Sequence, residues 1–441
     1  MTITLADLQV SVLGAGRFDS PMADLLGDRQ SSAHYVNADD RVLVDDTLAM
    51  AAARGVPVNE LPAFEAGGPR RRIYFDPANT SAAIITCGGL CPGLNDVIRS
   101  LVMQLWRQYG VRRIFGFRNG FQGFIPSYGH DPIELTPTVV SDIHEHGGTM
   151  LGTSRGSQDP DAIVDRLVAM GINVLFVIGG DGSMRGAQKI VAAAAVRDVE
   201  LAVVGVPKTI DNDIPFLDHS FGFLTAFATA KESIRAAHVE AKASPNGVGL
   251  VKLMGRHSGF IACYAALANN GADFVLIPEV PFRLEGPTGL LAQIRARVAE
   301  QGHAVVVAAE GAGQNLLQRG ERSTDASGNV KLHDIGQLLR QRIADHFAAA
   351  GAEVNMRYID PSYAIRSVPA NAYDSAYCMR LAHAAVHAAM AGRTDMVVGR
   401  WHGRFVHLPI PLATSSRNQV DPNGDLWMSV LEATGQPPHF S

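Results

Sequence analysis

Three loops of this 441-residue chain carry residue types that could do chemistry on phosphate. In the first, IGGDGS (178–183), Asp181 stands among Gly179, Gly180 and Gly182, after an apolar run and before a helical pattern that opens near Ser183. A carboxylate at the end of a buried strand can hold Mg²⁺ against phosphoryl oxygens. The loop is not a Walker A loop, since no Gly-Lys-Ser/Thr follows, and it lacks the G-x-G-x-x-G of a dinucleotide site. In the second, VPKTIDNDIP (206–215), Asp211 and Asp213 lie two apart beside Lys208 and Thr209. One carboxylate could take a hydroxyl proton while the other orients metal-bound water or backbone, as phosphoryl transfer to an alcohol requires. An Asx-turn cluster is the plainer alternative. In the third, IITCGGLCPGLNDVIRS (84–100), Gly88, Gly89 and Gly93 separate a strand from a helix beginning near Asn95. Such a turn aims backbone N–H groups and a helix N-terminus at an anion, although it also serves as a simple packing device.

The elements around these loops must hold them at one edge. AAIIT, VRRIFGF, NVLFVIGG, LAVVGVP, GVGLVKLM, DFVLIP and HAVVVAAEG read as buried strands. They alternate with amphipathic patterns such as LNDVIRSLVMQLWRQYG, DPDAIVDRLVAMG, SMRGAQKIVAAAAVRD, FGFLTAFATAKESIRAAHVEAKA and IGQLLRQRIADHFAAAG. That alternation predicts α/β units with mainly parallel sheets, whose ligands sit beyond the carboxyl ends of the strands. RVLVDDTLAMAAARG (41–55) reads as a helix within an N-terminal extension covering residues 1–80. Residues 81–225 plus 365–415 are expected to form one α/β domain, and 226–364 plus 416–441 a second. PANAYDSAYCMRLAHAAVHAAM (369–390) reads as a helix over the former, and GRWHGRFVHLP (399–409) as a returning strand.

Composition excludes several classes. With 47% hydrophobic and 18% charged residues the chain is neither disordered nor fibrous, and a net charge of −5 gives no general attraction to nucleic acid or anionic lipid. No run reaches the roughly 18 apolar residues of a spanning helix, no signal peptide is evident, and four cysteines make no disulfide framework. A cytoplasmic protein is expected. Cys87 and Cys91 could be half a metal site but read as small packed thiols. Arg70-Arg71-Arg72 reads as a solvated turn rather than a phosphate patch, and His144 and His146 as a surface helix end rather than metal ligands. His257 could shape a pocket or simply pack.

Taken together, GGLCPGLN, GTSRG (152–156), GGDGS, PKTIDND, LMGRHSGF (253–260), IPE (277–279), AEG (309–311) and YAIR (363–366) resemble the 6-phosphofructokinase family, most closely its atypical plant-type and bacterial branch. The resemblance spans about residues 67–410. It implies two phosphofructokinase-like α/β domains, the first (81–225 plus 365–415) nucleotide-binding and the second (226–364 plus 416–441) sugar-phosphate-binding, with the active site in the cleft between them, a Mg²⁺ cofactor, the substrates ATP and fructose 6-phosphate, allosteric control, and a homodimer or homotetramer with no nucleic-acid or membrane partner. It also implies roles. Gly88, Arg155, Gly156, Gly180, Asp181, Gly182 and Ser183 would form the donor site, with Asp181 the magnesium ligand. Thr209, Ile210 and Asp211 would meet the acceptor, with Asp211 the general base on its 1-hydroxyl. Met254, Gly255, Arg256, Glu310 and Tyr363, Ala364, Ile365 and Arg366 would hold the sugar phosphate, and Arg357 would reach across a subunit interface.

Two positions speak to the donor and disagree. Pyrophosphate-dependent members carry a second Asp after the GGD aspartate, where this chain has Gly182, leaving room for the α-phosphate of ATP. Lys208, by contrast, is typical of pyrophosphate users. The plant-type ATP branch combines both residues, and room for the α-phosphate is a steric requirement, so ATP is the expected donor and pyrophosphate the alternative. NAD and lipid kinases share a GGDG loop, but TIDND, MGR and YAIR argue for the sugar phosphate. A catalytically silent regulator would be signalled by loss of Asp181, Asp211 or Arg256, and all three are present.

Overall fold

Uninterrupted runs of aliphatic and β-branched residues leave no polar face, so the strands they form must be covered on both sides. The computed structural model, which describes residues 3–26, 35–317 and 332–441, shows this for Ser81–Thr86, Val174–Gly179 and Ala202–Pro207, each buried along its whole length. The chain divides into two units.

The first unit takes Met1–Thr209, Ile214–Gly222 and Val368–Ser416. Its nine-stranded sheet runs in the order Arg41–Leu43, Ala63–Ala66, Arg404–Pro409, Met396–Trp401, Ala202–Pro207, Val174–Gly179, Ser81–Thr86, Arg113–Gly116, Ile133–Glu134. The five strands from Met396–Trp401 to Arg113–Gly116 are parallel, and the strands outside them are antiparallel. Helices Pro160–Ala169 and Asp181–Val196 pack on one another, and Ala372–Met390 packs on Leu94–Gln104. Ile85, Val177, Val203, Ile163, Ile190 and Val397 close the core between sheet and helices.

Three sequence-based expectations give way. Residues 41–55 are not one helix: Arg41–Leu43 is an edge strand paired with Ala63–Ala66, and only Leu48–Ala53 is helical, its N-terminus capped by the Thr47 hydroxyl accepting from the Met50 N–H. GRWHGRFVHLP is not one strand but a hairpin between Met396–Trp401 and Arg404–Pro409, turning at His402 and Gly403, both with positive φ. Arg70 is not a solvated turn residue. It is buried, bonding Glu65 at 2.6 Å and the Asn37 carbonyl at 2.6 Å, and Arg393 bonds the same Glu65 oxygen at 2.7 Å. The segment read as an extension thereby supplies two strands of the main sheet, and a third, Ser11–Val12, pairs with Arg393–Thr394.

The second unit takes Ile210–Asp213, Phe223–Ser367 and Arg417–Ser441. Its four strands, all parallel, run Phe274–Leu276, His303–Ala309, Gly247–Leu253, Asn355–Ile359. Phe223–Lys242, Phe260–Asn269, Leu290–Gln301, Ile335–Ala349 and Asp425–Thr434 are its long helices among the described residues, and Val248, Leu250, Phe274, Ile294, Val306 and Leu339 build the core. Asp334 caps Ile335–Ala349 by accepting from the Gly336 and Gln337 N–H groups. No helix among the described residues is long and apolar enough to cross a membrane.

Candidate active site

In the first unit, the loops after Ser81–Thr86, Val174–Gly179 and Ala202–Pro207 are laced together. The Cys87 N–H donates to the Ile178 carbonyl at 2.9 Å, the Gly88 N–H to the Ser154 carbonyl at 3.1 Å, and the Thr153 hydroxyl to the Gly88 carbonyl at 2.5 Å. Gly88 and GTSRG are thus one construction, with Arg155 and Gly156 at its exposed end. Gly93, at φ +96, caps the helix Leu94–Gln104, and a side chain there would meet Cys378 Sγ at 2.6 Å. Lys208 is buried. Its N–H donates to the Gly179 carbonyl at 3.0 Å, and its Nζ would lie 3.8 Å from a Cβ placed on Gly88.

Asp181 begins the helix Asp181–Val196, and Gly180 precedes it in extended conformation, accepting from the Ser183 and Met184 N–H groups at 2.9 and 3.0 Å. Ser183 is buried over Gly179. The first N–H groups of the helix and the Lys208 ammonium make this end attractive to an anion, and the Asp181 carboxylate offers hard oxygen to a divalent cation. Among the described residues no three His, Cys, Asp or Glu side chains gather to hold a metal by themselves. A cation here would be completed by ligand oxygens and water, the usual manner of Mg²⁺ with phosphates. A Cβ at Gly182 would meet nothing within 4 Å, so the fold does not require glycine there.

In the second unit, Asp211 sits among charges of both signs. Burial raises its carboxyl most, Asp213 and Glu310 raise it further, and Arg417 and Arg256 oppose, leaving it pushed up to about 7. Its carbonyl accepts from the Ser258 hydroxyl at 2.9 Å. Asp213 is buried and bonded to the Arg417 guanidinium, and its carbonyl accepts from the Asn418 N–H at 2.8 Å. Met254–Arg256 and Glu310 follow the carboxyl ends of two adjacent parallel strands, tied by the Glu310 N–H to the Leu253 carbonyl at 2.8 Å and the Gly311 N–H to the Gly255 carbonyl at 3.1 Å. Gly255 has φ +126, and a side chain on it would stand 2.5 Å from the Ser258 carbonyl oxygen. Burial pushes the Glu310 carboxyl up, with Arg256, Lys252 and Arg366 acting against it. Arg366 lies 4.9 Å from the centre of the exposed Tyr363 ring.

Not every sequence-selected residue offers a side chain. Ile210 and Ile365 are buried, so a ligand could reach their backbone alone, whereas Tyr363 and Ala364 are exposed. Thr209 belongs to the first unit, its carbonyl accepting from the Ser220 hydroxyl at 2.6 Å. Arg357 lies on the edge strand of the smaller sheet, 3.4 Å from Glu240 and 3.1 Å from the Ser244 hydroxyl. The His257 side chain is exposed and its carbonyl accepts from Gln419. All four cysteines are free and buried, and burial pushes the Cys87 thiol up to about 12.

Arg417 and Lys252 went unnoticed in the sequence. Arg417 follows a Thr-Ser-Ser stretch with nothing to mark it, 204 residues from Asp213. Glu279, singled out only as part of IPE, accepts from the Gly259 and Val420 N–H groups at 2.9 Å each.

The profile of the family described as Phosphofructokinase matches residues 81–389. Over the full chain and 97% of the relative, the sequence is 61% identical to an ATP-dependent 6-phosphofructokinase of Amycolatopsis methanolica. It is 46% identical to one from Borreliella burgdorferi, covering 98% of this chain and 97% of the relative, and 47% identical to ATP-dependent 6-phosphofructokinase 7 of Arabidopsis thaliana, covering 95% and 85%. Among solved structures, a pyrophosphate-dependent phosphofructokinase from Marinobacter aquaeolei matches with TM-score 0.66 at 21% identity, over 80% of this chain and 91% of that one. Pichia pastoris phosphofructokinase in the T-state matches with TM-score 0.62 at 21% identity, over 80% and 37%. These two likenesses speak to the fold.

Proposed function

The chain belongs to the phosphofructokinase family, and from that premise we propose that it is an ATP-dependent 6-phosphofructokinase. It transfers the γ-phosphoryl group of MgATP to the 1-hydroxyl of D-fructose 6-phosphate, giving fructose 1,6-bisphosphate and ADP. The full-length 61% identity to an ATP-dependent relative carries this reading. The open space at Gly182 supports the donor, because glycine there serves no packing need.

Gly88, Arg155, Gly156, Gly180, Gly182, Ser183 and Lys208 are assigned to the donor phosphates. Asp181 would hold Mg²⁺, which when bound neutralises charge on the transferring phosphoryl group. Arg256, Glu310, Met254, Gly255, Thr209 and Tyr363–Arg366 are assigned to the sugar phosphate, orienting its 1-hydroxyl beside Asp211. The hydroxyl oxygen attacks the γ-phosphorus, the bond to the β-phosphate oxygen breaks, and the hydroxyl proton passes to the Asp211 carboxylate. A carboxyl raised toward neutrality suits proton removal, being a stronger base than an ordinary aspartate and still ionised in a large fraction of molecules. Fixed charges supply most of the remaining rate enhancement. We further assign a cytoplasmic location, in keeping with four free thiols, and a homodimeric or homotetrameric, allosterically controlled assembly.

Lys208 favours the second reading, pyrophosphate as donor, since its buried ammonium beside Gly88 would suit a small, highly charged donor. Assay of the purified protein with Mg²⁺, fructose 6-phosphate and either donor decides between them. Activity with ATP that disappears in Asp211→Ala is expected. Activity with pyrophosphate alone overturns the donor assignment, and inactivity with both overturns the acceptor as well.

A further inference from the structure

Lys252 is the one polar residue in the strand Gly247–Leu253 and the only one of its seven residues not fully buried. Its side chain retains 13% of its exposure. It leaves the strand two residues before Met254 and reaches two carboxylates, Asp360 at 2.7 Å and Asp334 at 3.5 Å. Asp334 is already engaged in capping the helix Ile335–Ala349. Asp360 organises a different segment. Its Oδ1 accepts from the Ser362 N–H at 3.2 Å and from the Ser362 hydroxyl, while Oδ2 takes the lysine. The carboxylate therefore folds back the segment Asp360–Ser362 and fixes where Tyr363 begins. From there the Ile365 N–H donates to the Pro361 carbonyl at 3.1 Å and the Ser367 hydroxyl to the Tyr363 carbonyl at 2.6 Å, closing the single turn Ala364–Ser367 that carries Arg366.

A four-residue helix has no stability of its own, because it lies below the length at which helix formation is favourable in water. What holds Arg366 in place is then the buried side chain of Ile365 on one side and the Lys252–Asp360–Ser362 chain on the other. The ammonium also acts electrostatically on Glu310, which Arg366 does as well.

We propose that Lys252 is a positioning residue for the acceptor site: through Asp360 and Ser362 it sets the turn that presents Tyr363 and Arg366 to the phosphate of the sugar. The inference rests on the reading of the acceptor as a phosphorylated sugar. Lys252 touches no reacting atom, so its loss should weaken sugar-phosphate binding and leave the donor side and the chemical step nearly as they were. Burial alone would raise the Asp360 carboxyl, but the bonds from Lys252 and Ser362 outweigh it and hold the group below the ordinary carboxylate range, so the link persists throughout neutral pH.

The test compares wild type with Lys252→Met, Lys252→Arg and Ser362→Ala by steady-state kinetics, together with calorimetric binding of fructose 6-phosphate in the absence of donor. Lys252→Met should raise KM and Kd for fructose 6-phosphate about tenfold, with KM for ATP unchanged and kcat within about twofold, the signature of lost uniform binding. Lys252→Arg should recover most of the affinity. Ser362→Ala, which removes one hydroxyl and leaves the ion pair intact, should shift the same constants in the same direction by a smaller factor, and it keeps the inference testable if Lys252→Met does not fold. Unchanged sugar affinity in Lys252→Met, or equal losses in both substrates and kcat, overturns the positioning role. Failure of wild type itself to bind or phosphorylate fructose 6-phosphate overturns the acceptor reading instead, so the two failures are distinguishable.

Discussion

The guanidinium of Arg417 is bonded to the carboxylate of Asp213, and its charge also acts directly on Asp211, two residues from Asp213. The same positive charge both neutralises one carboxylate and restrains the proton affinity of the other. Replacing Arg417 with Met should therefore raise the Asp211 carboxyl further. The acid limb of the kcat–pH profile is expected to move up by about one pH unit, and Arg417→Lys should move it less. An unshifted limb would show that Arg417 serves only the fold.

Asp211→Asn should lower kcat by roughly 10²–10⁴-fold, the range for removing a general base. Its effect on stability has the opposite sign. The carboxyl is raised in the folded protein, so its contribution to stability is fully present below the ordinary value of 3.8 and is lost as pH rises through about 7. Thermal unfolding at pH 8 should show Asp211→Asn melting above wild type, with a smaller gain at pH 5.5.

Gly182→Asp should leave the melting temperature within a degree or two of wild type, because a Cβ there meets nothing within 4 Å. Turnover with MgATP should fall at least about 100-fold, the carboxylate being placed against the donor. Parallel melting curves and donor assays check both halves of the expectation.

Glu65 holds two cations in the first unit: the side chains of Arg70 and Glu65 are 8% and 12% exposed, and that of Arg393 is 18% exposed. Glu65→Ala leaves two partly desolvated guanidiniums facing each other, a loss of about 3–5 kcal/mol by the usual cost of breaking a buried pair. Melting should fall by several degrees, while KM for fructose 6-phosphate stays unchanged.

The strands that build the sheet centres and the loops bearing Asp181 and Asp211 were readable because local sequence determines them. A run such as Val174–Ile178, short, rich in valine and isoleucine and closed by glycines, fits a strand buried on both faces, and the glycine cluster after it marks a backbone turn. Local sterics likewise explain Gly93 and Gly255. What escaped was long-range. Arg41–Leu43 is a strand because Ala63–Ala66 lies beside it, whereas the Ala-rich run that follows it suits a helix. Arg70 is buried because Glu65, itself shared with Arg393 328 residues on, supplies the counter-charge. Lys252 carries no mark in the sequence of its partnership with Asp360, and Arg417 none of its bond to Asp213.

The pairing of Ala63–Ala66 with Arg404–Pro409 has a consequence for how the protein is made. Domains generally fold in the order in which they leave the ribosome, but this strand leaves it well before its neighbour in the sheet. With Glu65 and Arg393 328 residues apart, and synthesis at about 5–20 residues per second, the early strand waits on the order of 15–65 s with an open edge. During that interval the nascent chain displays unpaired backbone and the apolar Phe64, the features that chaperones bind and that aggregation exploits. Slow synthesis of the stretch between the two strands would therefore lower the yield of folded protein even where every codon is read correctly.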